Sequence, residues 1–157
     1  MKSIHEFISD VQAVHATGNA TEHSYRPDLK ALFDSVAADV EAINERKREK
    51  FGATDFILHR KGVTIGHVEA KDIPVGIRAL KDANWEQRER YRKGFQNLIY
   101  TNGLDWDFYR KGERIASVTI AEHLLGICPK PETFDTLNHL LEDFVTEKPI
   151  TITAPLA

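Results

Sequence analysis

The chain has 157 residues, 41% of them hydrophobic and 29% charged, which suits one compact domain with a real core rather than a disordered or fibrous chain. No apolar run reaches the ~20 residues of a membrane helix, the N-terminus lacks a signal-peptide stretch, and the lone Cys128 excludes an internal disulfide framework and fits a reducing cytoplasm. Lys and Arg number 21 against 24 Asp and Glu, a net charge of -3, which argues against a freestanding, tight nucleic-acid binder while leaving room for local basic patches.

Residues 3–16 have helical spacing, with Ile4, Phe7, Ile8, Val11 and Val14 on one side, and Gly18 stops the helix. A second helix is expected from Pro27 to about Lys50. Its stripe is Leu29, Leu32, Phe33, Val36, Val40 and Ile43, and its far end is basic with Arg46, Lys47, Arg48 and Lys50. Then the period changes. Segments 54–59 and 63–71 read as strands joined at Arg60-Lys61-Gly62, and 80–94 reads as a helix closed by Gly94. Asn97–Thr101 and Leu104–Arg110 form a second hairpin candidate around Asn102-Gly103, and Ile115–Ile120 a further strand entered by a turn at Lys111-Gly112. Pro131–Thr146 reads as a terminal helix with Phe134, Leu137, Leu140, Leu141 and Phe144 inward. With no repeat and no linker, residues 1–157 form one domain. The fold class is α/β (α+β), a central mixed sheet flanked by helices.

The informative residues are Asp55, then Glu69-Ala70-Lys71. Side chains alternate along a strand, so Glu69 and Lys71 share a face. Asp55 joins them only in one register. If Lys61-Gly62 is a simple two-residue loop, Asp55 sits opposite Val68 on the wrong face. If Gly62 is the left-handed third residue of a longer loop, His59 pairs with Val63 and Asp55 faces His67, diagonal to Glu69; this is the register adopted. Two neighbouring carboxylates repel, and a divalent cation relieves that. Mg²⁺, with Mn²⁺ as a substitute, suits two carboxylates plus the Ala70 backbone carbonyl and a phosphate. Lys71 is then placed to orient the attacking water or to stabilise transition-state charge, a site for metal-assisted phosphodiester hydrolysis.

Asp55, a spacer and Glu69-Ala70-Lys71 resemble the PD-(D/E)xK nuclease superfamily, with Thr54 standing where the name has proline. A longer resemblance runs through Thr21–Pro27, Asn44–Arg48, Gly52–Phe56, Val68–Ile73 and Asn97–Asn102. These stretches are similar to the N-terminal nuclease part of single-chain type IIG or type ISP restriction-modification enzymes. The resemblance implies a restriction-endonuclease-like core and Mg²⁺-dependent cleavage of double-stranded DNA. It assigns Asp55 and Glu69 as metal ligands, Lys71 as the catalytic lysine and Glu22 as an additional acidic ligand. Gln87 and Tyr91 resemble the Q-x-x-x-Y signature of some superfamily branches, one helical turn apart. Methyltransferase and target-recognition regions would follow in the same polypeptide, and the last residues look like a cut in a linker. A transient dimer would serve double-strand cleavage. Neither an Asn-Pro-Pro-Tyr methyltransferase motif nor a phosphate-binding P-loop lies within the chain.

Each residue also has a plainer reading. Glu22 equally suits a helix start on electrostatic grounds alone. Gln87 and Tyr91 suit an ordinary helix face. Arg88, Arg90, Arg92 and Lys93, interleaved with Glu86 and Glu89, make either a solvated face or a strip of DNA-backbone contacts. His59 and His67 are expected as polar lining, Cys128 as a small buried residue, and Trp85 and Trp106 as packing residues. The competing functions are a freestanding structure-specific or repair nuclease and a catalytically inactive DNA-associated scaffold.

Overall fold

The computed structural model describes residues 3–44 and 52–146. Among the described residues, four helices, α1 (Ile4–His15), α2 (Arg26–Val36), α3 (Asp82–Gly94) and α4 (Phe134–Thr146), flank a six-stranded sheet. Its strands are β1 (Val40–Ile43), β2 (Phe56–Arg60), β3 (Val63–Ala70), β4 (Asn97–Thr101), β5 (Asp105–Arg110) and β6 (Glu113–Thr119), side by side in chain order. Only β3 and β4 run parallel, because α3 carries the chain back between them; the other neighbours are antiparallel. The mixed sheet flanked by helices is the architecture expected, and it is compatible with a restriction-endonuclease-like core. A two-stranded ribbon, β7 (Ala121–His123) and β8 (Ile127–Pro129), follows β6.

The two faces of the sheet differ. α1, α2 and α4 cover one, where Phe7 and Phe33 meet Trp106 edge-on and Phe33 meets Phe56. α3 covers the other, over a smaller cluster of Ile77, Leu80, Tyr91, Phe95, Leu98, Tyr100 and Tyr109. Only Tyr91 of α3 is buried. Beyond the burial of Tyr91, this polar helix is tied to its surroundings by side-chain hydrogen bonds to Lys71, Tyr100 and Ala53.

Several expectations change. α2 stops at Val36, and Ala37 is extended; residues 40–43 form edge strand β1 rather than more helix. Asp34 accepts the Ala42 amide at 2.7 Å, and Lys30 reaches the Ala42 carbonyl at 2.7 Å, so α2 side chains fasten the strand that was expected to prolong the helix. The expected basic end, Arg46 to Lys50, lies outside the described residues. The ribbon β7–β8 escaped the periodicity because each strand is three residues long. Trp106 is fully buried, as expected, but Trp85 is 47% exposed on α3, and Cys128 is exposed on β8. The Asn102-Gly103 connection is a four-residue loop, Thr101 pairing with Trp106, in which the Asn102 side-chain oxygen accepts the Leu104 and Asp105 amides.

The β2–β3 hairpin holds the main correction. Arg60 pairs with Val63, so the loop has two residues, Lys61 and Gly62, both left-handed as a type I′ turn requires. In a straight ladder that loop would turn Asp55 to the wrong face. Instead, a bulge shifts the register between Leu58 and His59: Leu58 pairs with Gly66, His59 with Thr64, and Ile65 is left over. The Ile65 carbonyl accepts from the buried Asn97 side chain at 3.0 Å, which also donates to Phe144 O at 2.9 Å. A Cβ on Gly66 would stand 2.4 Å from the Phe144 ring, so the bulge requires glycine there. Below it, Phe56 pairs with Val68 and Ile57 with His67. Asp55 therefore lies directly opposite Glu69, not diagonal to it.

Candidate active site

Asp55, Glu69 and Lys71 meet where β3 ends and β2 begins. The Asp55 amide donates to Glu69 Oε1 at 3.2 Å, and the Ala70 amide donates to Asp55 Oδ2 at 2.8 Å. Asp55 Oδ1 is ion-paired with Arg26, the first residue of α2. Glu69 Oε2 lies 3.3 Å from Lys71 Nζ. Both carboxylates are buried, 6% and 5% exposed, and the Lys71 side chain is nearly as hidden. Two carboxyl groups and two basic side chains thus share one low-dielectric pocket.

Burial, and then the charge of Asp55, push the Glu69 carboxyl up to about 8, with Lys71 pulling the other way. The folded state holds that proton more tightly than the unfolded chain. Its contribution to stability is complete below about 4.5 and is lost as pH rises through 8. In chelator, wild-type stability should therefore fall between pH 5 and 8.5, while Glu69→Gln should show a flatter profile and exceed wild type at pH 8.5 by roughly 1–3 kcal/mol. Denaturant titrations across that range check it; parallel profiles would remove the buried-proton account.

Gln87 joins the site through Lys71, whose Nζ donates to Oε1 at 2.6 Å; Tyr100 OH donates to the same oxygen at 2.9 Å. Tyr91, one turn along α3, donates instead to Ala53 O at 3.0 Å and so braces the approach to Asp55. A Cβ at Gly52, whose φ is 123°, would stand 2.6 Å from the Tyr91 ring, so this bracing also depends on a glycine. Burial, then the charge of Glu69, raise both tyrosine hydroxyls above their ordinary range.

The remaining expected residues divide. Glu22 begins a short 3-10 turn before α2, and its side chain lies outside the described atoms. Ala70 sits between the two charged residues with its amide on Asp55. On α3, Arg88 and Arg92 both reach Glu89 at 3.3 Å, while Arg90 is exposed with its guanidinium 5.5 Å from the Tyr91 ring centroid, and Lys93 is exposed. His67 is buried beside Phe95, ring centroids 4.2 Å apart, in the cluster under α3. His59 is at the far end of the hairpin, in a cleft with Asp39, Glu41 and Lys61. Two participants have no local signal in the sequence. Arg26 reads as a helix-start residue, and Tyr100 as one apolar-patterned strand residue among several.

A divalent cation fits this donor set in a specific sense. Among the described residues no group of three or more His, Cys, Asp or Glu could hold a metal ion. Two hard carboxylates side by side, one with its proton affinity raised by burial and by the other's charge, nonetheless match Mg²⁺, which takes one or two carboxylates and completes its shell with water and substrate phosphate.

No family model matches the chain, and no curated protein does. Among solved structures it is similar to a chain in a cryo-EM structure of a DrdV–DNA complex. The TM-score is 0.70 at 18% identity, over 93% of this chain and 14% of that one. The likeness is one of fold. This chain spans about a seventh of the length of its structural neighbour, 14%. No helix among the described residues is long and apolar enough to cross a membrane.

Proposed function

We propose that this chain is a Mg²⁺-dependent DNA endonuclease domain of the PD-(D/E)xK type, acting within a restriction-modification enzyme. The observation that carries the reading is the meeting of Asp55, just before β2, with Glu69 of β3, whose Oε1 accepts the Asp55 amide, with Lys71 Nζ 3.3 Å from Glu69. The fold it shares with a chain of a DNA complex supports DNA as the substrate, which on this reading is double-stranded.

Asp55 and Glu69, with the Ala70 carbonyl, would hold Mg²⁺, or Mn²⁺ in its place, and Glu22 would add a further acidic ligand. The ion, when bound, supplies Lewis acidity toward a phosphoryl oxygen and toward water. Arg26 and the Ala70 amide fix the Asp55 carboxylate from two sides, so it needs little reorganisation. Lys71 has three N–H donors, two of them directed at Glu69 and Gln87; the third can orient the water or meet charge developing on the phosphate. Gln87 fixes Lys71, and Tyr91 braces the segment leading to Asp55. Arg90 and Lys93 would contact the DNA backbone directly, Arg88 and Arg92 by exchanging Glu89 for phosphate. Methyltransferase and target-recognition regions would belong to the same polypeptide, and a transient dimer would cut both strands.

The test is cleavage of duplex DNA at high protein concentration with Mg²⁺ or Mn²⁺ by wild type, Glu69→Ala and Lys71→Ala. Both variants should lose about a hundredfold in rate or more; equal cleavage by all three ends the assignment. Calorimetric titration with Mn²⁺ completes it. Absence of heat dependent on Asp55 and Glu69 would favour the inactive scaffold.

A further inference from the structure

Lysine is a poor candidate for a fixed catalytic group unless something removes its freedom, because its four-carbon stem carries about 2 kcal/mol of rotamer entropy. The Lys71 side chain is 10% exposed and, among the described residues, has two acceptors, Glu69 Oε2 at 3.3 Å and Gln87 Oε1 at 2.6 Å, the second being the shorter. How Gln87 presents that acceptor decides where the ammonium sits.

The donor–acceptor count fixes the amide. An ammonium has no acceptor capacity, so the Gln87 atom 2.6 Å away must be the oxygen. That same oxygen lies 2.9 Å from the Tyr100 hydroxyl, which must then donate. Tyr100 is fully buried on β4, and the parallel register sets it beside Glu69. The rigid aromatic ring thus holds the Gln87 oxygen from the sheet side while Lys71 holds it from the site side. Gln87 itself comes from polar α3, which has a single buried residue and little packing of its own to orient a side chain.

We propose that Tyr100 is a positioning residue that acts through Gln87 to hold Lys71 Nζ over Glu69, leaving the third ammonium proton aimed at the reacting phosphate or water. The inference rests on the nuclease reading for its catalytic meaning. Its structural content stands apart from it: the hydroxyl of Tyr100 constrains an ammonium that it does not touch.

The experiment uses the full chain with Tyr100→Phe, Gln87→Met and the double variant. Tyr109→Phe, which removes another buried hydroxyl from the same aromatic cluster, is the control. Tyr100→Phe should lower kcat for DNA cleavage by about tenfold with KM unchanged, Tyr109→Phe should leave both unchanged, and Tyr100→Phe should add nothing once Gln87→Met is present. A second readout needs no cleavage. In ¹H–¹⁵N spectra of lysine ammonium groups, Lys71 should give a slowly exchanging resonance that disappears in Lys71→Met and broadens in both Tyr100→Phe and Gln87→Met. A sharp, unshifted Lys71 resonance in Tyr100→Phe, or losses that add in the double variant, overturns the proposal. Should Tyr100→Phe fail to fold, Gln87→Met at its half-buried helix position still decides whether the amide holds the ammonium. A wild type that cuts nothing but shows the expected resonances removes the nuclease reading and leaves the positioning role in place.

Discussion

Replacing Arg26 with methionine should lower the stability of the metal-free protein by about 3–5 kcal/mol, the usual consequence of leaving one partner of a buried ion pair alone. Methionine keeps most of the stem and loses the guanidinium, so Asp55, 6% exposed, would keep its Ala70 amide donor and lose its counter-charge. On the proposed function, Mg²⁺ takes up that same carboxylate. The deficit should therefore shrink when denaturation is repeated with saturating Mg²⁺ in place of chelator, because without the guanidinium competing for Asp55 the cation binds the variant's folded state more tightly than wild type's and stabilises it by more. The measurement is the difference between wild type and Arg26→Met in the two buffers. An identical deficit in both would mean that the cation does not reach Asp55.

The second large effect lies away from the charged residues. Asn97 is 4% exposed and spends one amide nitrogen on two buried carbonyls, Ile65 O at the bulge and Phe144 O near the end of α4. Asn97→Asp replaces that donor with an acceptor facing two acceptors, and should cost at least about 3 kcal/mol; Asn97→Leu leaves the carbonyls unmet without adding a charge and should cost about 2 kcal/mol. Urea unfolding of both variants gives the comparison, and hydrogen exchange at Gly66 reports whether the bulge opens first. An aspartate tolerated to within 1 kcal/mol would show that the two carbonyls find other donors.

Local pattern carried much of this structure and failed at identifiable places. α1, α3, α4 and the strands β2 to β6 announce themselves because each has a one-sided apolar period or a Gly-containing turn at its end. The segment after α2 misleads for a physical reason. Val36, Val40 and Ile43 satisfy a helical stripe, but Val40 and Ala42 also alternate into the core as a strand, and Asp34 and Lys30 supply partners that the ladder alone would lack. The core of the candidate site was legible because Glu69 and Lys71 are two apart on one strand and Asp55 is their hairpin partner. The route to that pairing was not: a longer loop was expected, whereas the structure uses a tight turn and a bulge whose supports, Asn97 and Phe144, are distant in sequence. Arg26 and Tyr100 were invisible for the same reason, since the order of strands and the approach of α2 are tertiary facts. The basic run on α3 reads from the sequence as either a solvated face or a strip of backbone contacts, and one interleaved carboxylate, Glu89, holds two of its cations, the adjacent Arg88 and Arg92 one turn on.

The bulge also has a consequence best expressed as parity. Residues 59–65, seven in all, lie between the paired Leu58 and Gly66, where a straight hairpin with a two-residue turn accommodates only an even number. The β5–β6 hairpin has the same odd count between Phe108 and Ala116, with the same Lys-Gly turn. An odd segment must bulge, and a gain or loss of one residue makes it even and straight without altering which residues stand below Leu58 and Gly66. The tip of the hairpin can therefore change length while Asp55 stays opposite Glu69. Between Gly66 and Lys71 there is no such slack, and one residue more or less there would exchange the core face of β3 for its charged one.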